Sequence, residues 1–283
     1  MEIAVASGKG GTGKTTIATN LARVISSTGR PVQYLDCDVE EPNGHIFLRP
    51  RIEHRDDVTV GVPAVDAEKC TGCGRCAELC QYSAITCVKG KVLIFEELCH
   101  SCGGCMAVCP EKAVDEVPRT IGIAEFGTSN GMAFGHGKLN IGTIQTPALI
   151  KYVKQRAQDD MLTILDVPPG TSCPVIEAIR NTDFVLLVTE PTPFGLNDLE
   201  LAVGMVRTLK LSFAVAVNRS DIGDDAVVRF CQKEGIEVLL EIPNDRKIAE
   251  AYSRGEMIID ALPQYEQKFL QLHEQITNGV TAE

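Results

Sequence analysis

The sequence predicts an α/β fold in which a parallel sheet is flanked by helices and interrupted by a small inserted α+β domain. Short apolar runs alternate along most of the chain with stretches of helical periodicity, a pattern typical of strand–helix–strand units. A glycine-rich segment, Gly8–Thr15, lies between the first apolar run and the first helical stretch. Nine of the twelve cysteines lie between Cys70 and Cys109, and eight of these nine form two regularly spaced sets, so this segment has a different character from the rest.

The strands and helices outside the Cys70–Cys109 segment are predicted from this alternation of apolar runs and helical stretches. The first strand is expected at Ile3–Ser7, and the helix after it carries an apolar stripe formed by Ile17, Leu21, Val24 and Ile25. Further strands are expected at Val32–Asp36, Leu162–Asp166, Phe184–Thr189, Phe213–Val217 and Val238–Ile242. Helices are expected between them, for example at 147–159, 196–209 and 224–234.

The cysteine-rich segment is expected to be a separate domain. We place it at residues 63–117, inserted into a discontinuous domain formed by residues 1–62 and 118–283. Its two ends can pair as neighbouring strands, Pro63–Val65 with Ala113–Val117. A domain tolerates an insertion where the two ends of the inserted segment lie next to each other.

Composition excludes several classes of protein. The formal net charge of −11 argues against a protein that binds nucleic acid or an anionic membrane non-specifically. No apolar run approaches the ~18 residues that a membrane span needs. The apolar stripe near the C-terminus (Tyr265, Phe269, Leu272 and Ile276) is expected to pack on its own domain rather than on a membrane. Because no signal peptide is recognisable, we expect a cytoplasmic protein whose cysteines bind metal rather than form disulfides.

The clustered cysteines fall into two equal sets. Cys70, Cys73, Cys76 and Cys80 have the spacing C-x2-C-x2-C-x3-C, and Cys99, Cys102, Cys105 and Cys109 repeat it 29 residues later. Three closely spaced thiolates can hold one cubane cluster, while the fourth points to the other cluster. The predicted ligand sets are therefore crossed: Cys70, Cys73, Cys76 and Cys109 for the first cluster, and Cys99, Cys102, Cys105 and Cys80 for the second.

This segment resembles a bacterial-type ferredoxin with two [4Fe–4S] clusters. One copy keeps the proline that follows the last cysteine, Cys109-Pro110, whereas the other has Cys80-Gln81. The alternative is a pair of zinc sites or buried thiols, but zinc sites usually have two C-x2-C pairs set further apart. The scattered Cys37, Cys87 and Cys231 are expected to be small buried side chains.

The glycine-rich segment has the chemistry of a phosphate-binding loop. Gly8-Lys9-Gly10-Gly11-Thr12-Gly13-Lys14-Thr15 matches G-x-x-x-x-G-K-[ST] between a strand and a helix. Its backbone N–H groups and the positive end of the helix suit phosphate, and Lys14 should reach the β- and γ-phosphates of ATP. We expect Mg²⁺ at the hydroxyl of Thr15, with Asp36 and with Asp166 at the end of the Leu162–Asp166 strand.

Lys9-Gly10-Gly11-Thr12-Gly13-Lys14-Thr15-Thr16 resembles the deviant Walker A motif of the MinD/ParA/Mrp superfamily, a SIMIBI-like group that includes the nitrogenase iron protein. The resemblance implies that Lys9 crosses a homodimer interface to the partner's phosphates on ATP binding. Asp36-Cys37-Asp38 resembles switch I, in which Asp38 would orient the attacking water, and Asp166–Gly170 resembles switch II. Asn218 matches the asparagine that reads adenine, and Ile242-Pro243 resembles the loop after it. Glu40–Asn43 is either a nucleotide-sensing segment, which we favour, or a solvated turn.

Two further features are Cys173 and a glycine-rich stretch. Cys173 occupies a position similar to the switch II cysteine of the nitrogenase iron protein, but a cluster bridging a dimer would need ligands that the sequence does not offer. Gly131–Lys138, which contains His136, is interpreted as a flexible loop next to a switch.

The function expected from these motifs is ATP-driven dimer closure that gates electron transfer through two [4Fe–4S] clusters to a redox protein. The alternative is assembly or delivery of iron–sulfur clusters to an apo-acceptor protein, as in the Mrp branch. Delivery is placed second because no C-x-x-C pair follows Cys109. A positioning or partition ATPase is disfavoured by the negative charge, and no nucleic-acid or membrane partner is expected.

Overall fold

Eleven strands lie in residues 1–281, the part of the chain that the computed structural model describes. In chain order they are β1 (Glu2–Ala6), β2 (Val32–Asp36), β3 (Arg51–Val65), β4 (Ile85–Val88), β5 (Lys91–Ile94), β6 (Val114–Ser129), β7 (Met132–Leu139), β8 (Leu162–Asp166), β9 (Phe184–Thr189), β10 (Phe213–Asn218) and β11 (Val238–Ile242). Nine of them form one sheet in the order β11-β10-β9-β1-β8-β2-β7-β6-β3. Neighbours from β11 to β7 are parallel, whereas β6 pairs antiparallel with both β7 and β3.

The same residues contain eleven α-helices. They are α1 (Lys14–Ser27), α2 (Gly44–Leu48), α3 (Arg75–Leu79), α4 (Gly104–Ala107), α5 (Thr146–Lys154), α6 (Cys173–Ile179), α7 (Pro193–Thr208), α8 (Ala226–Glu234), α9 (Arg246–Ser253), α10 (Ile258–Ala261) and α11 (Glu266–Thr281). Short 3-10 turns occur at Glu96–Leu98 and Pro263–Tyr265.

Helices cover both faces of the parallel sheet, because its apolar strands present side chains on both sides. On one face α1 and α11 pack together with α10, and Phe269 is fully buried there. On the other face the buried residues come from α5, α6, α7 and α8. These layers confirm the predicted α/β fold and most of its strands, including Val32–Asp36 and Leu162–Asp166, which have the expected bounds.

The long antiparallel pair of β3 and β6 is the main feature that the strand–helix alternation did not predict. Its register runs from Arg51 opposite Thr128 to Val65 opposite Val114, so the hairpin arms project from the edge of the sheet. The expected pairing of the two ends of the cysteine-rich segment is confirmed by this register. Residues 66–113 lie beyond the hairpin's last pair and contain the separate two-stranded sheet of β4 and β5.

The interpretation of Gly131–Lys138 as a flexible loop was wrong. These residues form most of β7, which pairs with β2 on one side and β6 on the other. The glycines remain in the strand because neighbouring side chains fill the space where a Cβ would lie: a Cβ at Gly135 would approach Leu35 to 2.8 Å, and one at Gly137 would approach Val39 to 2.7 Å. Glycine here permits close packing in the sheet rather than mobility.

The C-terminal helix packs on its own domain, as expected. Phe269, Leu272 and Ile276 of α11 are fully buried in the core that also contains Ile17 and Leu21 of α1. Among residues 1–281, no helix has both the length and the apolar character needed to cross a bilayer.

Candidate functional site

The phosphate loop lies where the carboxyl ends of the central parallel strands meet, the usual place for a ligand in such a sheet. It leaves β1 at Ala6 and ends at Gly13, whose φ of 92° favours glycine. A Cβ at Gly13 would lie 2.3 Å from the side-chain nitrogen of Asn218. Helix α1 then begins at Lys14 without a side-chain cap, so its first N–H groups remain available to a phosphate.

A buried ion pair lies beside this loop. The Nζ of Lys14 is 2.6 Å from Oδ1 of Asp166 and 3.7 Å from Oδ2 of Asp38. The hydroxyl of Tyr34 donates to the other oxygen of Asp166 at 2.9 Å. Burial opposes the charge on Lys14, but the carboxylates, Asp166 first, outweigh it and raise the pKa of this amine.

The carboxylates outnumber the cations around this pair. Asp36 is fully buried and accepts backbone hydrogen bonds from Asp38, Asn43 and Gly44. Burial, reinforced by the charge of Asp166, raises the pKa of Asp36 to about 8. Burial likewise raises the pKa of Asp38 to about 6. Three carboxylates around one amine are short of positive charge. Mg²⁺ is usually bound by one or two carboxylates together with substrate phosphates, so these residues fit the ion without forming a complete set of protein ligands.

A cavity of about 340 Å³ extends from the phosphate loop towards the carboxyl ends of β10 and β11. The phosphate side is formed by Gly11 and by Gly13–Ile17, and Asn218, which lies beside Gly13, also lines the cavity. The amide of Asn218 donates to the carbonyl oxygen of Thr12 at 2.8 Å, so it also fastens the loop to β10. The remaining lining residues are Arg219, Ile242, Pro243, Asn244, Asp245, Ile248, Ala249, Tyr252 and Ile258.

Sequence reasoning identified the Ile242-Pro243 loop but missed the cavity residues after it. Asp245 caps α9 by accepting from the backbone N–H of Lys247, and that helix carries Ile248 and Tyr252 to the cavity. The strong apolar and polar faces of Arg246–Ser253 were a detectable signal.

Lys9 is held within its own chain by a residue that the sequence did not single out. Its Nζ lies 2.5 Å from Oε1 of Glu190, whose other oxygen is 3.1 Å from Arg219. Glu190 directly follows β9, and its side chain is largely buried. The pairing joins residues 181 positions apart, so no local pattern could have predicted it.

The eight clustered cysteines divide between two cavities in residues 66–113 and the hairpin beside them. The first cavity, about 20 Å³, is lined by Cys70, Cys73, Cys76 and Cys109. The second, about 90 Å³, is lined by Cys80, Cys99, Cys102 and Cys105. Within residues 1–281 no three or more His, Cys, Asp or Glu side chains converge closely enough to hold a metal ion. The ligand assignment therefore stays a prediction, although four thiols per cavity are the donor set of a [4Fe–4S] cluster.

The two cysteine loops have the same local structure. Gly74 and Gly103 both adopt left-handed conformations directly before α3 and α4. Cys76 and Cys105 lie in the first turns of these helices, where burial raises the pKa of each thiol.

The remaining cysteines lie apart from these cavities or at their margin. Cys173 is exposed at the start of α6, after the segment that resembles switch II. Cys37 and Cys231 are buried, as expected. The expectation of burial was wrong for Cys87, which is only partly buried because β4 belongs to a small two-stranded sheet.

Comparison with known proteins gives one family match and several relatives. The family described as the CobQ/CobB/MinD/ParA nucleotide binding domain matches residues 3–258. An uncharacterised protein of Methanocaldococcus jannaschii is 31% identical, over 92% of this chain and 91% of its own. An iron–sulfur cluster carrier protein of Pyrococcus horikoshii is 26% identical, over 91% of this chain and 79% of its own.

Solved structures show the same fold. The septum site-determining protein MinD of Pyrococcus horikoshii, complexed with Mg-ADP, has a TM-score of 0.61 and 19% identity. The alignment covers 97% of this chain and 95% of that protein.

Proposed function

Because the chain belongs to the CobQ/CobB/MinD/ParA nucleotide-binding family, we propose that it is an ATPase that delivers iron–sulfur clusters to an acceptor protein. The observation that carries this proposal is the presence in one chain of a phosphate loop and two cavities lined by four cysteines each. Relatives named iron–sulfur cluster carriers support delivery over the electron transfer that the sequence alone favoured. When bound, the clusters would be the cargo, held in the proposed domain at residues 63–117.

The proposed role of the carboxylates follows from the charge balance beside the phosphate loop. ATP phosphates would draw Lys14 away from Asp166, leaving the carboxylates without their cation. A divalent cation restores the balance, with Thr15, Asp36 and Asp166 as the proposed residues at Mg²⁺. Asp38, only 15% exposed and next to Lys14, would orient the attacking water.

Lys9 is the proposed contact between two copies of the chain. In the isolated chain Glu190 holds it by a strong charged hydrogen bond. Phosphates of an ATP-bound partner carry more negative charge than this single carboxylate, so closure of a homodimer would transfer Lys9 to them. The ion pair with Glu190 then keeps Lys9 out of the chain's own phosphate site until a partner arrives.

Gated electron transfer to a redox protein is the second candidate. It is favoured by the fact that each cavity is lined by four cysteines, enough for a permanently held cluster, and that no C-x-x-C pair follows Cys109. A positioning or partition ATPase remains the weakest alternative, because the net charge of −11 disfavours DNA and anionic membranes.

An anaerobic iron and sulfide count with EPR tests these functions. The reconstituted chain is expected to hold about eight irons as two [4Fe–4S] clusters. With Mg-ATP and an excess of an apo-ferredoxin as acceptor, delivery predicts loss of iron from this chain and its appearance in the acceptor. The variant Lys14→Ala is the control, and it should retain its iron. Full retention of iron by the wild type, together with reoxidation that changes on ATP binding, would replace delivery by electron transfer.

A further inference from the structure

We propose that Gln145 and Thr146, at the N-terminus of α5, are positioning residues that couple the nucleotide site to the second cysteine cavity. The proposal rests on the proposed function, because it assigns the route by which ATP would alter a cluster-binding loop. Both residues are buried, and they are consecutive in the chain. One of them contacts Glu40, two residues after the segment that resembles switch I, and the other contacts Cys99.

The contact on the nucleotide side begins at Lys14. Its neighbour Asp38 lies two residues before Glu40, whose negative charge acts on the Asp38 carboxyl. Oε1 of Glu40 accepts a hydrogen bond from the hydroxyl of Thr146 at 2.9 Å. A shift of Asp38 towards a bound nucleotide would therefore pull Glu40 and, through this hydrogen bond, the start of α5.

The contact on the cysteine side is made by the residue before Thr146. The side-chain amide of Gln145 donates to the backbone carbonyl of Cys99, whose side chain lines the second cavity with Cys102 and Cys105. The amide oxygen of Gln145 is buried and accepts no hydrogen bond from any other residue in the range 1–281. A buried acceptor without a donor is costly, so Gln145 is held in a contact that satisfies only half of its amide.

Helix α5 is also tied to the far end of α6, the helix that follows the segment resembling switch II. Nζ of Lys154, in its last turn, donates to the carbonyls of Ala178 and Arg180 at 2.8 Å each. These residues end α6, the helix that follows Asp166–Gly170. Helix α5 therefore contacts Glu40 beside one candidate switch and the end of the helix that follows the other, and its N-terminus contacts the second cysteine loop. Two discrete arrangements of such a packed helix are a physical basis for coupling.

Hydrogen exchange of the full chain, with and without Mg²⁺ and a non-hydrolysable ATP analogue, tests the link. In the wild type, nucleotide should speed exchange of residues 99–105 by roughly 2- to 12-fold, the factor expected for weakening one hydrogen bond, and leave residues 70–76 unchanged. In Gln145→Met, residues 99–105 should exchange quickly both with and without nucleotide. In Thr146→Val, these residues should exchange slowly in both states, because Gln145 still contacts Cys99 but this contact no longer responds to Glu40.

Two further variants separate coupling from a merely structural effect. Thr146→Ser keeps the hydroxyl and should restore the wild-type response. Gln155→Met, at the exposed far end of α5, should behave as the wild type. A wild-type response in Gln145→Met or Thr146→Val overturns the proposal, as does nucleotide binding that leaves residues 99–105 unaffected or alters both cysteine loops equally. Nucleotide binding and cluster transfer, measured on the same samples, show separately whether the proposed function fails.

Discussion

Replacing Lys14 by methionine is expected to destabilise the nucleotide-free fold, in addition to abolishing phosphate binding. The methionine keeps most of the side-chain volume but leaves Asp166 fully buried without its cation, 2.6 Å from where the amine was. The hydrogen bond from Tyr34 remains and satisfies one oxygen only. Asp36 and Asp38 would add to the repulsion, because both lie close enough for their charges to act on this site.

The expected loss in the free energy of unfolding is about 3–5 kcal/mol, the range for removing one partner of a buried ion pair. A chain of this length unfolds with an entropy of roughly 0.6 kcal/mol/K, so Tm should fall by about 5–8 °C. Thermal unfolding followed by circular dichroism at pH 8, without nucleotide or Mg²⁺, measures this fall in Tm. At lower pH the fall in Tm should be smaller, because the buried carboxyl groups around residue 14 can bind protons.

Two comparisons make this result interpretable. Lys233→Met, on an exposed position of α8, should change the free energy of unfolding by no more than about 0.5 kcal/mol. The double variant Lys14→Met/Asp166→Asn should recover most of the loss, since it removes both charges. If Lys14→Met has the same Tm as Lys233→Met, the ion pair contributes nothing to the apo fold and the reasoning fails.

Three other outcomes are expected. Lys9→Ala should bind nucleotide normally yet lose ATP-driven dimerisation, with turnover at least about 10³-fold lower; a dimer that persists in light scattering with Mg-ATP would contradict the proposed contact. Gly8→Ala should lower Tm by about 2–5 °C, because its Cβ would lie 2.3 Å from the carbonyl oxygen of Asp198. Gly10→Ala is the control and should leave Tm unchanged, because the space around Gly10 is open. Equal Tm values for the two variants would disprove the clash. The folded-state pKa of Asp36 is raised from 3.8 to about 8, so the folded state binds more protons in that window and stability should fall as pH rises through it. Asp36→Asn should flatten the fall in Tm between pH 5 and 8, and an unchanged slope would assign the fall to other groups.

Much of the candidate site could be predicted from sequence because its parts are local. The phosphate loop is a continuous segment between a strand and a helix, and Asp36 and Asp166 each end a strand that a short apolar run predicts. Since β2 and β8 are parallel neighbours with Asp36 opposite Asp166, residues 130 positions apart meet at one edge of the sheet. The cysteine sets were predictable for the same reason, because their spacing repeats within forty residues.

What sequence could not predict depends on the order of the strands and on the packing between elements. The ion pair of Lys9 with Glu190 and the contact of Gln145 with Cys99 join residues that are far apart in the chain. Glycine content suggested a loop at Gly131–Lys138, whereas Leu35 and Val39 pack so closely there that only glycine leaves room for the strand.

The sequence by itself therefore determined the chemistry this protein carries: a phosphate loop, acidic strand ends and a repeated set of eight cysteines. The tertiary structure alone decided how these groups meet. It places Lys14 among three carboxylates, holds Lys9 on Glu190, and sets α5 between the nucleotide site and Cys99. The physical reason is that residue spacing and periodicity report on contacts between residues a few turns apart in the chain. Contacts across the sheet depend instead on the order in which the strands pair.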